Sequence, residues 1–236
     1  MAENLIRQNL LRVQERIAAA AQRAGRRPEE ITLIGVSKTH PAEMIRAAYE
    51  AGLRHFGENR VQEWEGKHDA VKDLDSAVVH LIGHLQSNKA ARAAKLFECV
   101  DSVDDFPLAQ RLERARGELG GTRKLRVLIE AHIGEEESKS GVAVAELAAL
   151  AERVAALAGL ELAGLMCIPP FTEEMEGARP YFRRLRKLRD DLQKRLRREL
   201  PVLSMGMSHD FEVAIEEGAT EVRVGTAIFG ARESKT

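Results

Sequence analysis

The chain is short of cysteine, of long apolar runs and of surplus charge, and each shortage excludes a class of protein. Two cysteines occur in 236 residues. Cys99 and Cys167 lie far apart in apolar, strand-like segments, which argues for reduced core thiols and against a disulfide framework. No apolar run is long enough to span a bilayer, and Met1-Ala2-Glu3-Asn4 does not open a signal-peptide pattern. A cytoplasmic protein with no membrane partner is therefore expected. The 36 Lys and Arg nearly cancel the 37 Asp and Glu, and a formal net charge of -1 offers no global pull toward nucleic acid. Neither a low-complexity linker nor a shift in composition divides the chain, so one domain over residues 1–236 is expected. A hydrophobic fraction of 44% suffices for a core, and 31% charged residues suit a soluble surface.

An opening helix is expected over residues 2–24, with Leu5, Ile6, Leu10, Val13 and Ile17 at helical spacing and a stop at Gly25. Strand and helix signals then alternate. Strands are expected at 31–37, 53–57, 78–83, 97–100, 125–132, 160–167, 202–205 and 221–225. Helices are expected to begin near Pro41, Arg60, Ser87, Asp104, Val142, Glu173 and Ser208. This alternation gives a parallel sheet with right-handed crossovers. Eight units in a chain of this size fit a closed (β/α)8 TIM-type barrel with an extra N-terminal helix, and an open doubly wound sheet is the runner-up. The most basic stretch, 173–199, carries Phe182, Leu185, Leu188, Leu192 and Leu196 as an apolar stripe. It reads as an amphipathic outer helix with a solvated basic face. Asp190, Asp191 and Glu199 weaken a nucleic-acid reading of it.

Lys38 closes the apolar run Ile31-Thr32-Leu33-Ile34-Gly35-Val36-Ser37 and precedes Thr39-His40-Pro41. A period of two places it on the face of Val36, Ile34 and Thr32. Partial desolvation there favours the neutral amine, a nucleophile able to form a Schiff base with a carbonyl. For a lone lysine, snorkelling into water is the better reading. In a barrel, however, the C-terminal strand ends form the rim that carries the active site, and closure brings the last strands beside the first. Asn59 follows the second strand on that rim. The loops after the seventh and eighth strands, where barrels commonly bind phosphate, contain Ser204-Met205-Gly206-Met207-Ser208 and Val224-Gly225-Thr226. Ser208 reads as the N-cap of the next helix, and Gly225-Thr226 adds close backbone approach and a hydroxyl. Arg223 shares a strand face with Gly225. Its partner is either a core carboxylate such as Glu58 or the nitrogen of an aromatic ring, to which a permanently protonated guanidinium can only donate. A metal reading is weaker. His80 and His84, four residues apart on a strand, would stand roughly 13 Å apart. His40, His55 and His209 are expected near the mouth as solvated loop histidines without an acidic or thiol cluster.

Seven ordered blocks resemble the pyridoxal-phosphate homeostasis proteins, which are similar to the N-terminal barrel of bacterial alanine racemase. They are Gly35-Val36-Ser37-Lys38, His55-Phe56-Gly57-Glu58-Asn59, Ile82-Gly83-His84-Leu85-Gln86-Ser87-Asn88-Lys89, Glu137-Ser138-Lys139-Ser140-Gly141, Gly164-Leu165-Met166-Cys167-Ile168-Pro169-Pro170, Ser204-Met205-Gly206-Met207-Ser208 and Val222-Arg223-Val224-Gly225-Thr226-Ala227-Ile228-Phe229-Gly230. The resemblance implies that Lys38 holds pyridoxal 5'-phosphate as a Schiff base. It implies that Ser208, Gly225 and Thr226 hold the phosphate, that Arg223 meets the pyridine nitrogen, and that Asn59 lies beside the cofactor. It further implies binding, buffering or delivery of the cofactor, with apo-enzymes that use it as possible clients, a monomeric state, and an influence on amino-acid and keto-acid balance. The racemase has a second, β-rich domain beyond its barrel, whereas this sequence ends at Thr236. The opposing tyrosine base of that domain is therefore expected to be missing. The alternative is a racemase- or transaminase-type enzyme; a Schiff-base aldolase, which would lack the chromophore, ranks below it.

Overall fold

The computed structural model describes residues 2–120, 122–134 and 140–230. Nine strands occur among them: β1 (Thr32–Val36), β2 (His55–Glu58), β3 (Val78–Leu81), β4 (Cys99–Val103), β5 (Leu125–His132), β6 (Val142–Ala143), β7 (Leu160–Met166), β8 (Val202–Met207) and β9 (Glu221–Val224). Every pairing is parallel. The order is β4-β3-β2-β1-β9-β8-β7-β5, and a further β4–β5 pairing closes the ring. The eight long strands thus form the expected barrel, and the open sheet is ruled out. Thr32 pairs with Glu221 across β1–β9, which sets the C-terminal ends of the first and last strands side by side. The two-residue β6 lies outside the ring, beside the end of β5. A helix was expected to begin at its first residue, Val142.

The helices are α1 (Ala2–Arg23), α2 (Ala42–Glu50), α3 (Val61–Val71), α4 (Ala90–Leu96), α5 (Phe106–Glu118), α6 (Val144–Ala155), α7 (Arg179–Leu196), α8 (Phe211–Glu216) and the single turn α9 (Thr226–Phe229). α1 lies across α2, α8 and α9 and buries Ile6, Leu10, Val13 and Ile17, whereas Leu5 faces solvent. In α7, Phe182, Leu185 and Leu192 are buried, with Leu188 and Leu196 packed against the same core. No helix among the described residues is long and apolar enough to cross a membrane.

The strand periodicity divides the interior in two. Val79, Leu81, Phe56, Val100, Val127, Ile129, Leu203 and Val222 belong to the large core between sheet and helices. Their neighbours in sequence point the other way, into the lumen. There, Leu128, Ala163, Met166 and Val202 form a small apolar plug. The other inward positions include polar residues that are almost fully buried: His80, Asp101, Ser204, Glu221 and Arg223. The polar pair Asp101-Ser102 lies within β4, which extends three residues beyond the expected 97–100 and begins two later.

Candidate functional site

A cavity of about 480 Å³ opens at the C-terminal ends of the strands, and Lys38, Asn59, Ser208, Arg223, Gly225 and Thr226 all line it. Six residues read from four separate loops and strands therefore share one wall. They are joined there by Val36, Ile82, Glu130, Ser140 and Met207.

Lys38 is half-buried, two residues past the end of β1, and the backbone on both sides of it is tied down. The Ser37 hydroxyl donates to Glu58 Oε1 (2.7 Å), and the same oxygen accepts from Lys67 Nζ at 2.9 Å. Lys67 also donates to Glu63 Oε1 (2.8 Å) and to the Ser37 carbonyl (3.1 Å). Glu63 in turn accepts the Thr39 N–H. Thr39 has φ 67°, a left-handed conformation that a β-branched residue adopts only when its surroundings enforce it. Burial pushes the Glu58 carboxyl above its ordinary range, and Lys67 and Ser37 work against that rise. For Glu63, partial burial acts upward, but the bonds from Lys67 and the Thr39 N–H win and hold it low.

Arg223 is 3% exposed. It does not pair with Glu58, the core-carboxylate alternative suggested by spacing; that carboxyl pairs with Lys67 instead. Instead its terminal nitrogens donate to Ser204 Oγ (2.7 Å) and to the Cys167 carbonyl (2.7 Å). These neutral partners fix the guanidinium plane without cancelling its charge. Glu130, two positions beyond Leu128 on the lumen face of β5, accepts from Ser140 Oγ at 2.8 Å. Burial raises its carboxyl, while the Ser140 bond and the Arg223 charge oppose that rise.

Ser208 Oγ accepts from Gly225 N at 3.3 Å, which joins the loops after β8 and β9. Ser208 is not the N-cap of α8 as expected. That place belongs to Asp210, whose Oδ1 accepts from Met207 N (2.6 Å). Gly206 makes the turn possible, since its φ is 91° and a Cβ there would meet the Ala214 Cβ at 2.5 Å. A Cβ on Gly225 would come within 3.3 Å of Val36, so the β1 and β9 ends pack tightly.

The histidines separate. His40 stacks on Phe229 (5.3 Å between centroids) near the mouth, and His209 lines the cavity. His84 reaches Asp104 (3.2 Å) at the same rim. His55 departs from expectation: it begins β2, at the far end of the barrel, where its Nδ1 meets His80 Nε2 at 3.0 Å. Burial and the neighbouring His80 hold His55 down to about 4, which makes it a neutral acceptor. Burial disfavours charge on His80, but the Asp101 carboxylate 2.9 Å from its Nδ1 prevails and holds it well above the usual histidine range. Acidic residues thus do accompany this histidine pair.

Sequence reasoning missed Lys67, Glu63, Glu130 and Ser140. A signal existed for some of them. Glu63 and Lys67 stand four apart at the start of a helix, and Glu130 interrupts an apolar strand at an inward position. Glu137, Ser138 and Lys139 lie outside the described residues.

The sequence profile described as alanine racemase, N-terminal domain, matches residues 8–233. The chain is 48% identical over 226 residues to the pyridoxal phosphate homeostasis protein of Aquifex aeolicus, which covers 96% of this chain and 98% of that one. Identity to the protein of the same name from Escherichia coli K12 is 45% over 233 residues, covering 98% of each. Among solved structures, PipY of Synechococcus elongatus with bound PLP superposes with a TM-score of 0.81 at 41% identity, over 91% of this chain and 100% of that one.

Proposed function

The chain belongs to the pyridoxal phosphate homeostasis proteins of the alanine racemase N-terminal-domain family, and from that premise we propose that it binds pyridoxal 5'-phosphate at the barrel mouth and holds it in an exchangeable, protected form. One observation carries the site assignment: an amine, an amide, two hydroxyls, a buried guanidinium and the Gly225 backbone converge on a single cavity of about 480 Å³. That volume suits a small aromatic phosphate, and the donor set matches its polar groups. When bound, pyridoxal phosphate supplies a reactive aldehyde and a conjugated ring that can delocalise charge.

In this reading the chain's own groups act as follows. Lys38 would supply the amine that holds the aldehyde, and the Ser37–Glu58–Lys67–Glu63–Thr39 network holds its backbone still. Ser208 and Thr226 would offer hydroxyls to the phosphate, and Asn59 would add an amide beside the cofactor. Arg223, fixed by Ser204 and Cys167, would donate to the ring nitrogen. Because a guanidinium cannot give up its proton, a ring nitrogen held there would stay unprotonated and the ring would be a weak electron sink. Both tyrosines of the sequence lie on outer helices: Tyr49 bonds Ser76 Oγ (2.8 Å) from α2, and Tyr181 belongs to α7. With no tyrosine in the described cavity wall to oppose Lys38, negligible turnover of amino acids is expected. The proposal extends to a single-domain, cytoplasmic monomer that passes cofactor to apo-enzymes.

Borohydride reduction tests the assignment. The purified protein should absorb in the visible, and reduction followed by peptide mapping should place the label on Lys38. Lys38→Ala should remain folded and lose both signals. Retention of the full absorbance and labelling in that variant would overturn the site.

A further inference from the structure

At the opposite end of the lumen from Lys38, we infer that His80, Asp101 and Glu221 form a binding site for a first-row divalent cation of the Zn²⁺, Co²⁺ or Mn²⁺ type. The three come from β3, β4 and β9 and are 0%, 1% and 2% exposed. Each offers one ligand atom, and these atoms all lie within 4.8 Å of one another. Two metal–ligand bonds of about 2.1 Å, placed back to back, span about 4.2 Å, so only a small contraction closes the widest pair.

An independent observation points to a missing partner. Glu221 Oε2 is buried without a hydrogen bond, while Oε1 is held by Arg126 at 2.5 Å. An orphaned, buried carboxylate oxygen is costly, and buried polar groups nearly always find a partner. Arg126 satisfies one oxygen and leaves the other without a partner beside the histidine–aspartate pair. A cation there would gather all three groups at once.

The surroundings suit such an ion. Metal-bound histidines characteristically donate their second ring N–H to a neighbour, which fixes the tautomer. His80 Nε2 already meets His55 Nδ1 at 3.0 Å, leaving Nδ1, on the Asp101 side, to the cation, which displaces the Nδ1 proton to solvent on binding. Mixed imidazole and carboxylate ligands favour Zn²⁺, Co²⁺ or Mn²⁺ over Ca²⁺ and Mg²⁺, which take oxygen sets. A second cavity, of about 360 Å³, opens at this end of the barrel and is lined by His55, Cys99 and Arg126. It leads to residues that touch the three ligands and so provides an entry path. A bound cation would staple β9 to β3 and β4 across the lumen, since β1 and β2 separate them in the ring.

Calorimetric titration of the chelator-treated full chain with ZnCl₂, CoCl₂ and MnCl₂ tests the site. The expected result is one equivalent bound, a rise in Tm with metal, and for Co²⁺ a visible spectrum distinct from the aqueous ion. Glu221→Gln and Asp101→Asn should each weaken binding at least tenfold and abolish the Tm rise, with pyridoxal phosphate absorbance unchanged. If either variant fails to fold, the wild-type Co²⁺ spectrum decides, because coordination by an imidazole nitrogen supports the site and an aqueous-type spectrum overturns it. Absence of one-to-one binding at millimolar metal, or equal affinity in folded Glu221→Gln, would overturn it too.

Discussion

Lys67 illustrates how much of the mouth depends on a residue that does not line it. Its ammonium is the cation for Glu58, which is fully buried, and it also ties down Ser37 and Glu63 on either side of Lys38. Removing one partner of a buried pair leaves an uncompensated charge, at a cost of about 3–5 kcal/mol. Lys67→Met should therefore destabilise the chain by that order in urea unfolding, and adding Glu58→Gln should recover part of the loss. A loss no greater in Lys67→Met than in the double variant would show that the pair is not coupled. Glu130 behaves in the opposite sense. Its folded carboxyl is raised, chiefly by burial, so the ionised form costs stability above that raised value. As pH falls through it, the folded state takes up a proton before the unfolded chain does and the cost disappears. Glu130→Gln should thus raise Tm at neutral and alkaline pH, with the gain shrinking toward pH 4. A gain independent of pH would assign the effect to packing. Neither role is visible in composition, because a charged residue on a strand reads the same whether it faces water or a lumen.

At the scale of elements, α8 is the weak link and its neighbours compensate. Six residues are too few to hold a helix by themselves. α1 grips it through Arg16, which donates twice to Glu212 (3.0 and 2.9 Å). Arg179 at the start of α7 reaches Glu216 and Glu217 at 2.7 Å each, along with Glu176. The basic face of α7 is thus partly an ion-pair surface for α8. Arg179 and Arg23 hold Glu216 below the ordinary carboxylate value, and Arg179 and Arg183 hold Glu217 low against its burial. Stability from depressed carboxyls is present above their unfolded pKa, about 4.3, and is lost as pH falls through the folded values. Arg179→Ala should cost on the order of 1 kcal/mol at pH 7, since a partly exposed network is screened. The difference from wild type should vanish in acid, and amide exchange in α8 should quicken. Unchanged exchange in α8 would sink this account. Ser208 belongs at this scale as well. A hydroxyl three residues before a helix looks like a cap in sequence, but Asp210 lay closer to the first turn and took the place.

For the molecule as a whole, closure is what assembles function. The β1–β9 and β4–β5 pairings turn eight strands into a ring and bring residues 38, 59, 208 and 223 to one rim. Phe56, fully buried between the ring and its helices, belongs to the continuous core that supports it. Phe56→Ala should cost about 3–5 kcal/mol and weaken the entire barrel rather than one loop. Fluorescence and far-UV dichroism should report the same lowered transition, and a transition confined to one probe would contradict a shared core. The sequence by itself determined the alternation of strands and helices, the strand end that carries Lys38, and the glycine-bearing loops near Gly206 and Gly225. These follow from local rules: a period of two, a period of 3.6, and backbone breakers between them. Tertiary structure alone decided that Glu58 takes Lys67 and not Arg223, that His55 sits at the far end from His40, and that His80, Asp101 and Glu221 meet. The reason is physical. A period-two pattern specifies that a side chain changes face, but not which distant strand supplies its partner, and the Arg126–Glu221 pair joins residues that only the closed ring brings together.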